Sequence, residues 1–278
     1  MHLSTVETVL DYEVDSPSHF CFNIEAAHWP TQKILSEQLA ISSGVVPHTF
    51  IDPRSGNRFI RFDAQPGPLH VNYKAEVEVR AAPVDASLPE LSVAQVPDDI
   101  FKFLLPTRYC ESDVMCQTAG GLFGNHPPGI GRVDAIVQWI RDEIRYQPGS
   151  TRSTTTAHEV FQQRAGVCRD FAHLGITFCR ALNIPARLVV GYVWFDEPPQ
   201  DFHAVFEAWL GGRWVLFDPT GMAPVDRLVR IGTGRDAKDV AFATMFGGVR
   251  MVRKEVLVLE HDPRPRAKEA VEPQVAPA

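Results

Sequence analysis

Between residues 69 and 80 apolar and polar side chains alternate without a break, with Leu69, Val71, Tyr73, Ala75, Val77 and Val79 set against His70, Asn72, Lys74, Glu76, Glu78 and Arg80. Successive side chains of a strand point to opposite faces, so this pattern predicts a strand with one wet face. Weaker alternation over 6–14, 19–24, 33–41 and 58–62, separated by turn formers such as Asp52-Pro53-Arg54-Ser55-Gly56, predicts a small antiparallel sandwich whose strand order stays open. Residues 81–97 are rich in Pro, Ala, Ser and acid with little periodicity and read as a linker.

Beyond the linker the period changes. A short helix is predicted near 98–105, and Val133, Ile136, Val137, Ile140 and Ile144 fall on one face of an amphipathic helix over 132–145. Phe171, Leu174, Phe178 and Leu182 form another helical stripe, stopped by Asn183 and Pro185, which places Cys168 at a helix beginning. Strands are predicted at 186–195, 202–210 and 213–218, the last two joined by Gly211-Gly212, a two-residue hairpin signal. The chain thus reads as α+β: a β-rich unit over 1–97, a helix feeding an antiparallel sheet over 98–261, and a Pro-, Ala- and charge-rich tail over 262–278 expected to be disordered.

With 278 residues, 45% of them hydrophobic, the chain is long enough to bury a substantial core. Its 27 basic and 34 acidic residues leave a formal charge of −7, which disfavours broad attraction to nucleic acid or anionic lipid. Neither partner is expected. Five cysteines form a low, odd count, and residues 1–20 lack a basic stretch followed by an apolar one, which suits a reducing cytoplasm. No apolar run approaches the roughly 18 to 20 residues needed to span a bilayer.

Among the cysteines, Cys168 alone sits in a glycine-led turn into a helix, Ala165-Gly166-Val167-Cys168-Arg169-Asp170. Free backbone N–H groups and the positive end of the helix dipole favour a thiolate there, and the same N–H groups can hold an oxyanion during acyl transfer. The local sequence is equally compatible with a small buried residue at a helix start. Cys179, among apolar neighbours, reads as a buried hydrophobe. Cys110, Cys116 and His126 raise a metal site, but Cys-x5-Cys with a distant histidine lacks zinc spacing, and no Asp/Asn-rich loop has calcium spacing, so neither metal nor cofactor is expected.

The hairpin supplies partners for the thiol. A two-residue loop pairs Leu210 with Arg213, which puts His203, Val205, Trp214, Leu216 and Asp218 on one face and makes His203 and Asp218 diagonal neighbours. A carboxylate there fixes the imidazole tautomer and leaves the other nitrogen free to take a thiol proton. A three-residue loop would split the pair. Taken singly, a strand histidine or an aspartate before Pro219 is an ordinary structural residue; the combination carries the signal. Arg169 and Asp170 are candidate supporting residues for the thiolate and the helix dipole, while His158, Tyr146, Trp139 and Trp209 either line the groove or belong to the core.

Gly166-Val167-Cys168-Arg169-Asp170-Phe171-Ala172, followed by Arg180-Ala181-Leu182-Asn183-Ile184-Pro185-Ala186-Arg187, resembles the bacterial transglutaminase-like superfamily. So do His203-Ala204-Val205-Phe206-Glu207-Ala208-Trp209 and Trp214-Val215-Leu216-Phe217-Asp218-Pro219-Thr220, where the family's usual His-Ala-Trp is replaced by His203-Ala204-Val205. Further likenesses around Leu104 to Asp113 and Gly234 to Val240 extend the resemblance over nearly the whole chain. It implies a papain-like core behind a β-rich N-terminal domain and a Cys-His-Asp triad of Cys168, His203 and Asp218. It also implies cysteine-dependent acyl transfer on a protein or peptide amide, by hydrolysis or transamidation, or else a silent domain that binds a peptide or partner protein in the same groove.

Overall fold

The computed structural model describes residues 2–42, 44–80 and 85–261. The first part of the chain forms β1 (His2–Val14), β2 (Ser18–Phe22), β3 (Gln32–Ile41), β4 (His48–Ile51), β5 (Arg58–Ala64) and β6 (Gly67–Val79). Then follow α1 (Asp98–Phe101), α2 (Cys116–Phe123), α3 (Ile130–Glu143), β7 (Arg145–Tyr146), α4 (Ala157–Gln163), β8 (Ala165–Gly166) and α5 (Cys168–Ala181). The remaining strands are β9 (Ala186–Tyr192), β10 (His203–Leu210), β11 (Arg213–Phe217), β12 (Val229–Gly234), β13 (Ala243–Phe246) and β14 (Val249–Glu260).

The alternation read in the first part becomes two antiparallel sheets, ordered β14-β1-β6-β3 and β13-β2-β5-β4. Every second residue of β1 and β6 is buried, and their apolar faces meet a cluster in which Phe20, Phe22 and Phe62 stack at centroid distances of 5.3 to 5.7 Å. Tyr12 lies edge-on to Phe20.

This arrangement corrects the expected division of the chain. The sequence pattern assigns residues 243–260 to the second unit, yet β14 pairs along β1 from Ser4 to Val14 and β13 pairs with β2. Without them both β1 and β2 would be edge strands with a row of unpaired N–H and C=O groups, and Val256 and Val258 complete the sandwich core. The linker reading is also corrected for residues 85–97. Leu88 packs against the second core, Ile130 N–H donates to Leu88 O (3.0 Å) and Gly211 N–H donates to Pro89 O (2.9 Å), so this segment straps the start of α3 to the β10–β11 turn. Residues 81–84 and the expected tail over 262–278 lie outside the described residues. The helix expected at 98–105 is only the single turn of α1.

In the second part α5 lies on the antiparallel sheet β11-β10-β9-β12. All residues from Asp170 to Arg180 are buried, because α2, α3 and α4 cover the faces of α5 that the sheet does not. Phe206 of β10 reaches so close to α5 that a Cβ on Gly175 would stand 2.6 Å from its ring. The two parts share a core: Tyr192, Val229 and Ile231 pack into the sandwich cluster. Thr8 Oγ1 donates to Tyr192 Oη (2.9 Å), which donates to Ile24 O (2.7 Å).

Candidate active site

Cys168 opens α5 and is half-buried. Val167 precedes it as the N-cap in extended conformation, and the buried Asp170 folds back on this turn. Its Oδ2 accepts from Val167 N–H (3.0 Å) and from Thr151 Oγ1 (2.6 Å), satisfying one of the free donors of a helix start. Gly166 is needed because a Cβ there would meet the Asp170 Cβ at 2.8 Å. Arg169, considered above as a support for the thiolate, is instead bound to Asp170 through Nε (2.9 Å) and Nη2 (2.6 Å) and to Arg152 O (2.8 Å). The pair locks the loop that carries the thiol.

His203 begins β10. The hairpin has the two-residue register, with Leu210 opposite Arg213 and Phe206 opposite Phe217. Gly211 (φ 55°) and Gly212 (φ 80°) both occupy the left-handed region that a type I′ turn demands. Asp218 follows β11 directly, and its Oδ2 lies 3.1 Å from His203 Nε2, with both side chains buried. Burial alone would raise the Asp218 carboxyl, but hydrogen bonds from His203 and Thr220 hold it below the usual carboxylate range. An ionised carboxylate only accepts, so His203 Nε2–H is the donor. Thr220 N–H (2.8 Å) and Oγ1 (2.7 Å) donate to Oδ1, and Ala223 N–H donates to Oδ2 (3.2 Å). The carboxylate is thereby aimed as well as charged.

Besides binding Asp218 through Nε2, the imidazole hydrogen-bonds with the Cys168 side chain. Burial would lower the His203 pKa, but hydrogen bonds to Asp218 and Cys168, with their negative charges, push it up to about 10. The imidazolium is therefore the stable form at neutral pH. Cys168 Sγ also lies 3.9 Å from Phe202 O. His173, the histidine of α5, cannot share this role: burial pushes it down to about 3, and its Nε2 accepts from Ala237 N–H at 3.0 Å.

Of the further residues weighed from sequence, Tyr146 alone comes to the thiol. The short parallel pairing of β7 with β8 sets Tyr146 opposite Gly166, and its hydroxyl hydrogen-bonds with the Cys168 backbone and side chain, burial and the Cys168 charge raising its pKa. Trp139 packs on Phe161, Phe178 and Phe123 in the core, Trp209 packs edge-on to Trp214, and His158 contacts Gln162 on the exposed side of α4. Cys110 and Cys179 are buried, while Cys116 is exposed and its thiol donates to Ser112 O (3.1 Å).

Cys168 and His203 border a cavity of about 580 Å³ between the second sheet and β13. Leu188, Val190, Ile231 and Val240 make its floor apolar, and Asp201 and Lys254, hydrogen-bonded to each other, stand at its rim.

Comparison with known proteins agrees with this architecture. Residues 2–99 match the bacterial transglutaminase N-terminal domain and residues 117–219 the transglutaminase-like superfamily. The crystal structure of a Cytophaga hutchinsonii protein, provisionally described as a cysteine protease, superposes with a TM-score of 0.91 at 38% identity, covering 95% of this chain and 92% of that one. An uncharacterized Mycobacterium leprae protein is 34% identical over 164 residues, 55% of this chain and 57% of its own length. An uncharacterized Mycobacterium tuberculosis protein is 38% identical over 143 residues, 46% of each. The chain spans about half the length of these curated relatives. From the two matched domains and the near full-length likeness to the Cytophaga protein, the chain belongs to the transglutaminase-like superfamily.

Proposed function

We propose that the protein is a thiol enzyme acting on amide bonds, with Cys168 as nucleophile, His203 as proton carrier and Asp218 as the group that orients the histidine. The single observation that carries this reading is the buried imidazole held by Asp218 on one side and by the Cys168 thiol on the other. In such a pair the thiol proton can pass to the imidazole, which leaves the thiolate needed for attack on a carbonyl. The sulfur adds to the amide carbon. The negative oxygen that forms takes hydrogen bonds from the Cys168 N–H and the Tyr146 hydroxyl, which lie together. The C–N bond then breaks, the imidazolium proton passes to the departing amine, and a thioester remains on Cys168. Water, losing a proton to His203, releases the acid; an amine in the same place yields a new amide. The Cytophaga relative's provisional description as a cysteine protease favours water.

Incubation with iodoacetamide followed by peptide mapping is expected to label Cys168 ahead of the exposed Cys116. Turnover of peptide amides should vanish in Cys168→Ala while peptide binding persists. Preferential labelling of Cys116, or turnover that survives in Cys168→Ala, would sink the proposal.

A further inference from the structure

The cavity beside Cys168 has an unusual wall. Ala241, Phe242, Ala243, Thr244 and Met245 all border it. Side chains of a strand alternate between faces, so a cavity lying over one face of β13 would touch every second residue; the successive Ala243, Thr244 and Met245 mean that it runs along the strand's edge, with Ala241 and Phe242 leading into it. β13 is the outer strand of its sheet, with β2 on one side and no described strand on the other.

The ladder tells which groups that edge offers. Asn23 N–H donates to Phe242 O (3.1 Å), continuing the register in which Ala243 faces Phe22 and Thr244 faces Cys21. Hydrogen-bonded and non-bonded pairs alternate in an antiparallel ladder. Thr244 and Phe246 therefore turn their N–H and C=O toward β2, whereas those of Ala243 and Met245 point to the open edge. Among the described residues no hydrogen bond engages the outward groups of either residue. Met245, at the outer end of this row, is exposed, as is its neighbour Phe246.

We propose that the substrate is an extended, unfolded polypeptide segment that adds to the open edge of β13 as a further strand, presenting its reactive amide to Cys168. This rests on the acyl-transfer reading above. A row of outward N–H and C=O groups is matched by a peptide main chain and by no small amide. Alternate side chains of the added strand drop toward Val190, Ile231 and Val240, so apolar residues at every second position are favoured. A side-chain amide on a folded surface could not reach both the edge and the thiol in this manner.

The test uses the full chain and peptidyl vinyl sulfones of two to eight residues, with valine at alternate positions, reading the rate of Cys168 modification by mass spectrometry. The rate should rise about 10-fold or more once a probe is long enough to pass Ala243 and Met245, each strand hydrogen bond being worth up to roughly a factor of ten. Backbone N-methylation scanned along the longest probe should cut the rate about 10-fold at alternating positions only. In Ala243→Pro, which removes one outward N–H at an edge position where proline fits, the advantage of long probes over short ones should shrink by a similar factor. Modification of Cys168 that is indifferent to length and to N-methylation would overturn this inference alone. Failure of every probe to modify Cys168 would overturn the acyl-transfer reading and this inference with it.

Discussion

The two halves of the molecule bury different things. The sandwich strands hide one apolar face and turn the other outward, as β1 does along its length and β6 from Leu69 on, and the carboxylates buried there include Glu25 and Glu260. In the second half β10 is covered on both faces, six of its first seven residues being buried. Asp170, Arg180, Arg187, His203, Glu207, Asp218 and Arg230 are all buried with it. Buried polar groups must be paired. Glu207 takes Arg187 Nε (2.6 Å) and Arg230 Nη2 (2.5 Å), and Arg180 donates to Ala186 O through Nε (3.1 Å) and Nη2 (2.8 Å). The first half is a scaffold held by apolar contact, and the second holds polar groups in fixed geometry.

This contrast can be broken at either end. Removing the imidazole with His203→Ala should lower amide turnover by about 10³-fold or more, read as kcat/KM on a peptide amide, with far less effect on the urea midpoint; equal loss in both would erase the distinction. Conversely, Phe20→Ala, in the stacked cluster of the sandwich, should cost about 3–5 kcal/mol of stability while the folded fraction keeps its thiol reactivity. A smaller effect sharpens the comparison through pH. Because the His203 pKa is raised above its unfolded value, the stability that its charge contributes is complete below about 6.5 and is lost as pH climbs through about 10. Amide turnover should fall roughly tenfold per pH unit above that point, since a neutral imidazole has no proton for the leaving amine. Iodoacetamide labelling, which needs only the thiolate, should not fall with it. A turnover limb descending near pH 7 would show that the imidazole is not held as a cation.

Much of this arrangement can be read directly from residues. The His203–Asp218 alignment follows from two glycines that accept positive φ and from the period of a strand, both local properties. The return of β13 and β14 to the sandwich has no local signal: β14 exposes most of its length, and nothing near residue 249 says that its partner lies at the other end of the chain. α4 does carry a local signal, for Thr156 and Glu159 form a capping box. α2, interrupted by Gly120 and Gly121, gave no comparable cue. β4 has no buried face at all. Tyr146 reaches the thiol through a two-residue parallel pairing, too short to leave a periodic trace.

The pairing of β14 with β1 also orders events in time. As the chain emerges from the ribosome, β1 waits with one flank bare until residues 249–260 are made, and contacts spanning so much sequence form slowly. The same late strand steadies the approach to His203, since Val258 N–H donates to Gln200 Oε1 (2.6 Å) and Lys254 binds Asp201. A nascent chain thus carries its sulfur long before the histidine beside it is braced.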